Sequence, residues 1–181
     1  MQQGSVVVVS HDDRATPGEN AVAAGERAYR WGRAGTMRLY VQSSSALPGW
    51  SSRHLELVDE AVNAWTKGAK LEIQRVSWPR EADVRLYWTD RLPPTNPGVT
   101  MLYTNGAGRL SRADIFIDVQ PAPWGIGTPD RVLYATIAHE LGHALGLPHD
   151  PALGALMHPS PLVTAVTEID RAQLAALIDG R

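Results

Sequence analysis

The eleven residues His139-Glu-Leu-Gly-His-Ala-Leu-Gly-Leu-Pro-His149 constrain this chain more than any other stretch, because they match H-E-x-x-H-x-x-G-x-x-H at every fixed position. On a helix, His139 and His143 stand one turn apart, about 5–6 Å between Cβ atoms, so both imidazoles can reach one cation from one face. Glu140 then lies beside the cation, placed to act as a base. Gly146 tolerates the left-handed conformation that ends a helix, and the turn it permits brings His149 back as a third ligand. A shuffled chain of this composition would show the full pattern roughly once in tens of thousands of tries, so coincidence can be set aside. Three neutral imidazoles leave a fourth tetrahedral position for water, the arrangement of a catalytic zinc, although imidazole also suits nickel, cobalt or copper. Such an ion lowers the pKa of its water towards about 7 and polarises a carbonyl, while Glu140 takes the proton and passes it to a leaving amine.

Composition narrows the remaining choices. With 181 residues, 44% of them hydrophobic, and six Trp, the chain can bury one sizeable core and does not require two domains. Lys plus Arg is 17 against 19 for Asp plus Glu, and this balance makes no electrostatic case for nucleic acid or an anionic membrane. No cysteine is present, so disulfides and thiolate ligands are excluded and histidine and carboxylate remain the only strong metal-binding side chains. The apolar run Val6 to Val9 is too short for a membrane span or a signal-peptide core. Either a signal has been removed or there was none.

Along the chain, residues 1–30 lack sustained periodicity and read as a flexible or pro-like lead-in. Five strands are expected: 37–41, 71–76 and 83–88 alternate between turn signals, and 98–103 and 113–118 read as a strand pair joined through Asn105-Gly-Ala-Gly108. A helix from Ser51 or Ser52 to Gly68 should present Leu55, Val58, Val62 and Trp65 to the core. Thr128-Pro129-Asp130 supplies an N-cap, a first-turn proline and an acid at the positive end of the histidine-bearing helix. A last helix, capped by Thr167 with Asp170 three residues on, should bury Ile169, Leu174 and Leu177 or Ile178.

The motif followed by Ala155-Leu-Met-His-Pro159 resembles the metzincin metalloproteases, and Gly154 to Ser160 is most similar to their matrixin branch. Arg30-Trp31, Arg75-Val-Ser77, Ala82-Asp83-Val84, Gly98-Val99 and Val166 to Asp170 follow the family's order, so the resemblance covers about residues 30 to 181. It implies an α+β fold: a twisted, five-stranded, mostly parallel sheet with two long helices, then a largely irregular part ending in a third helix, with the catalytic domain spanning 31–181. It makes Met157 the Met-turn methionine beneath the three histidines, Pro159 part of the wall of a specificity pocket, and Ala135 that pocket's base. A small residue at Ala135 should leave the pocket deep, favouring a bulky apolar side chain just after the scissile bond. Asp170 should hydrogen-bond beneath the Met-turn. The strand from Val99 to Tyr103 is the expected open edge on which an extended peptide substrate would add.

This sequence departs from the family at several points. Asp150 after the third histidine is the adamalysin choice, not the serine or threonine usual in matrixins. Position 159 is proline, so the extra tyrosine ligand of astacins and serralysins is not expected. Only His11 and His54 precede the motif, so the matrixins' second, structural zinc is not expected either. Asp83 matches a calcium-binding acid of relatives, but its loop is short, and it reads better as a strand-end acid; a structural calcium is not supported. His158 reads as a rim residue. Ile169 stands where matrixins place the acid that pairs with a newly cut N-terminus, and the absence of cysteine excludes a cysteine switch. Asp12 or Asp13 could cap the metal from the lead-in. The expectation is a zinc-dependent endopeptidase, monomeric, acting on protein or peptide and exported by family habit. The alternative is a zinc-containing peptide-binding module without significant turnover.

Overall fold

The computed structural model describes residues 5–10, 27–32, 35–93, 95–119 and 128–180. The strands are β1 (Val6–Ser10), β2 (Thr36–Val41), β3 (Glu72–Arg75), β4 (Val84–Thr89), β5 (Gly98–Thr104) and β6 (Leu110–Asp118). They form a single mixed sheet in the order β1-β5-β6-β4-β2-β3. The pairs β2·β3, β2·β4 and β4·β6 are parallel, whereas β5 runs antiparallel to β6 and β1 antiparallel to β5. The helices are α1 (Arg53–Thr66), α2 (Pro129–Leu145) and α3 (Glu168–Ile178).

The five strands expected from the sequence are all present. Alternation works here because one face of the sheet is buried: Met37, Leu39 and Val41 of β2 and Val84, Leu86 and Trp88 of β4 point into the core. The sixth strand, β1, falls in the lead-in, where no periodicity announced it. The rest of that lead-in up to residue 26 lies outside the described residues, His11, Asp12 and Asp13 included.

Helix α1 packs on α2, and α2 lies against β5 and β6. The indole of Trp65 is buried between the two helices and donates from Nε1 to the carbonyl of Ala138 at 2.8 Å. The buried face of α1 is His54, Leu57, Val58, Ala61 and Trp65. Leu55 and Val62, expected on that face, are only half-buried at its margin, because His54, Leu57 and Ala61 belong to the stripe as well.

Helix ends follow local chemistry. Thr128 is the N-cap residue of α2 with Pro129 in its first turn, and Gly146 ends it at φ 105°. A Cβ at Gly146 would run into the carbonyl of Tyr29, whose N–H donates to Gly146 O at 2.8 Å. In α3, Thr167 and Asp170 form a reciprocal capping box. Leu174 is buried as expected, but Ile169 is 40% exposed, a correction to the sequence reading. The inward position of that turn goes to the fully buried Asp170.

Candidate metal centre

His139 and His143 lie on one face of α2, both fully buried, and the chain turned by Gly146 returns His149 to them. The three form a group of potential ligands whose donor atoms lie within 4.8 Å of one another. Two backbone carbonyls fix the ring tautomers: His139 Nδ1 lies 2.7 Å from Leu156 O, and His143 Nδ1 lies 2.9 Å from Leu147 O. A carbonyl can only accept, so each Nδ1 carries the proton and each Nε2 presents a lone pair. Nε2 of His143 sits 3.0 Å from that of His139 and 3.2 Å from that of His149. Lone pairs that close repel unless they share a cation. A tetrahedral ion with nitrogens at about 2.0–2.1 Å would set its ligands about 3.3–3.4 Å apart, so the donor set and spacing fit zinc.

Glu140 is fully buried beside this group. Thr100 on β5 donates from Oγ1 to Glu140 Oε2 at 2.6 Å and so pins the carboxylate to the sheet. Gly98 makes room for it, since a Cβ there would stand 2.7 Å from Glu140 Cγ and 2.9 Å from Thr136 Cγ2. Within α2, Gly142 does the same for the floor of the site: a Cβ would meet Trp65 Cζ2 at 2.9 Å and Met157 Cε at 3.0 Å. Thr100 carries no local signal, because its partner is 40 residues away. Gly142 does carry one, since glycine inside a helix costs roughly 1 kcal/mol against alanine and implies a close approach.

Met157, whose Cε lies against α2 at Gly142, is fully buried. Its N–H and that of Leu156 donate to the two carboxylate oxygens of Asp170 at 3.0 Å each, and the same carboxylate accepts from Thr167 N at 2.7 Å. Leu156 therefore offers its carbonyl to His139 while its N–H is held by α3. Asp150 joins the same scaffold. Its N–H donates to Met157 O at 2.9 Å, and its carboxylate accepts from Ala152 N at 2.7 Å and from the Gln173 side chain.

The remaining expected residues separate into those near the site and those away from it. Ala135 is half-buried one turn before His139, and Pro159 is half-buried just past the Met157 turn. Val99 and Tyr103 are half-buried on β5, Tyr103 with the Arg112 guanidinium 3.6 Å from its ring centre. Both are paired with β1, Val99 with Ser10 and Tyr103 with Val6, so β5 is an inner strand and not the expected open edge. His158 bonds within its own turn, Nδ1 to Ser160 at 2.9 Å and 3.0 Å. Asp83 is a strap between β4 and β2: it accepts from Arg38 N at 2.8 Å and pairs with the Arg38 guanidinium at 3.1 Å. That hydrogen bond and the charge of Asp83 push the Arg38 guanidinium above its ordinary value. His54 is not part of the three-histidine group; it is buried against Trp50 and Trp88 with ring centres 6.1 Å and 5.2 Å away.

A mixed sheet carrying a helix on which two of three converging histidines stand defines the class, and the sequence comparison agrees. The matrixin family model matches residues 36–175, and the chain belongs to that family. Among curated relatives it is similar to human matrix metalloproteinase-20, 31% identical over 123 residues that make up 65% of this chain and 25% of the relative. It is similar as well to interstitial collagenase of Sus scrofa, 29% identical over 119 residues, 63% of this chain and 25% of the relative. Stromelysin-3 of Rattus norvegicus is 33% identical over 109 residues, 58% of this chain and 22% of the relative. The chain thus matches about a quarter of the length of these proteins. Among the described residues, no helix is long and apolar enough to cross a membrane.

Proposed function

We propose that this chain is a zinc-dependent endopeptidase in which His139, His143 and His149 hold the metal and Glu140 is the general base. The observation that carries this reading is the convergence of Nε2 lone pairs, with tautomers fixed by Leu156 O and Leu147 O, beside a buried carboxylate. Bound zinc supplies Lewis acidity towards a peptide carbonyl and its attacking water. The protein's own residues do the rest. Glu140, held by Thr100, accepts the proton of the attacking water and returns it to the amine that leaves. Met157 and the buried Leu156 exclude water from beneath the histidines.

Specificity is part of the same proposal. Ala135, small and one turn before His139, forms the base of a pocket walled by Pro159, and the pocket takes a bulky apolar residue just after the scissile bond. Val99 and Tyr103 on β5 contact the extended substrate only where β1, which pairs with both, has left them. By family habit the protein works outside the cytoplasm, as a monomer, on protein or peptide. The test is a peptide library incubated with zinc-loaded protein, with and without a chelator. Glu140→Ala should retain zinc and the fold while losing cleavage, and retained cleavage would refute the base assignment. Chelator-sensitive binding with no product in the parent protein would instead mark a binding module.

A further inference from the structure

We propose that β1 is a built-in occupant of the substrate edge: Val6–Ser10 takes, in cis, the place of an extended peptide on β5, and the site turns over only when β1 leaves. This inference rests on the endopeptidase reading for its consequence but on strand geometry for its content. Five consecutive residues pair with β5, from Val6 opposite Tyr103 to Ser10 opposite Val99. Backbone groups on an open sheet edge give affinity to any extended peptide, so an edge already paired is closed to another strand.

The direction of β1 ties it to the catalytic centre. Its last residues, Val9 and Ser10, face Thr100 and Val99. Thr100 holds Glu140, and the neighbouring Gly98 is packed on the Glu140 side chain. The strand therefore runs, from N to C, towards the base, with its far end clamped where Thr104 N donates to Ser5 O at 3.0 Å and the two hydroxyls lie 2.8 Å apart.

Its anchoring suits removal. Val9 is 2% exposed and Val7 packs half-buried against the core, while Val6 and Val8 are each 53% exposed, so the strand is anchored on one face and open to solvent on the other. The Ser5·Thr104 hydrogen bond sets the alternation. Val7·Leu102 and Val9·Thr100 are the next hydrogen-bonded pairs, and Val8·Met101 is a non-hydrogen-bonded pair with Cα atoms about 4.5 Å apart.

That spacing lies within the range a disulfide spans, about 4.4–6.8 Å, and the natural chain has no cysteine to compete. Val8→Cys/Met101→Cys in the full, zinc-loaded chain should cleave a reporter peptide at least tenfold more slowly oxidised than reduced. The parent protein, treated identically, corrects for any effect of the reductant. Equal rates in the two states overturn the proposal. Val7→Pro, which removes an N–H aimed at β5, should cleave several-fold faster than the parent, and a parental or lower rate counts against it equally. If no form cleaves, peptide binding by fluorescence anisotropy decides. Binding to the reduced form alone upholds the occupied edge and removes the endopeptidase reading, whereas equal or absent binding in both states overturns the occupied edge.

Discussion

Thr100 and Glu140 meet across 40 residues of chain through one hydroxyl, 2.6 Å from the carboxylate, and that contact orients the proposed base in a way no local pattern could. Thr100→Val keeps the shape and removes the donor. It should lower kcat about tenfold, the equivalent of about 1.4 kcal/mol, with KM little changed and most of the rate recovered by Thr100→Ser. A parental kcat in the valine variant would end that role for Thr100. His54 carries a different consequence. Burial lowers its imidazole from the ordinary value, with nearby Asp130 and backbone groups opposing in part. The unfolded chain then takes up the proton first. The stability His54 contributes is complete above about pH 6.5, the unfolded value, and is lost as pH falls from there towards the lowered folded value. The urea midpoint should accordingly drop further between pH 8 and pH 5.5 in the parent than in His54→Gln. Because both proteins share the three ligand histidines, parallel curves would exclude His54 as the source.

The Met157 turn and α3 form one unit through Asp170, whose carboxylate serves Leu156 N, Met157 N and the Thr167 N-cap together. Asp170→Asn keeps the size but offers one acceptor oxygen in place of two, leaving at least one buried N–H unpaired. A loss of about 3 kcal/mol in denaturant unfolding is expected, along with weaker zinc retention against a chelator, because Leu156 O orients His139. Unchanged zinc retention in a folded variant would separate the turn from the metal site. The ends of α2 and α3 were legible in the sequence because they are set locally: Pro129 in the first turn, Gly146 at the stop and the Thr167–Asp170 capping box each act within a few residues, whereas Thr128 holds the N-cap position without a side-chain hydrogen bond. Burial faces were less legible. Ile169 reads as a core residue by its spacing, yet Asp170 takes the inward position because its partners, Leu156 and Met157, approach from another part of the chain. In α1, Val58 and Trp65 are buried as their spacing predicts, but His54, Leu57 and Ala61 join them in place of Leu55 and Val62, because no periodicity within α1 records where it packs on α2.

The order of the sheet is where sequence reading had least purchase. Val6 to Val9 is four apolar residues without alternation, and only pairing with β5, more than 90 residues away, makes it a strand. The three candidate ligands were legible in the motif, and they do come together, but what they join was not legible. The candidate ligands come from α2 and from the loop beyond Gly146, and Asp150, next to His149, is tied through Gln173 to α3. Metal bound there links the helix packed on the sheet to the C-terminal part, so folding of the whole chain should be coupled to zinc. For a ligand that binds only the folded state, free zinc at about 1,000 times Kd adds roughly 4 kcal/mol, which for a chain of this size corresponds to about 8–16 °C in Tm. Chelation should lower Tm by that order and zinc should restore it. Glu140→Ala, which removes no ligand, should show the same drop, whereas His149→Ala should start low and respond little. A chelated parent protein that melts within about 2 °C of the zinc-loaded form would mean that the ligands are held by the fold alone, without the metal closing the two parts together.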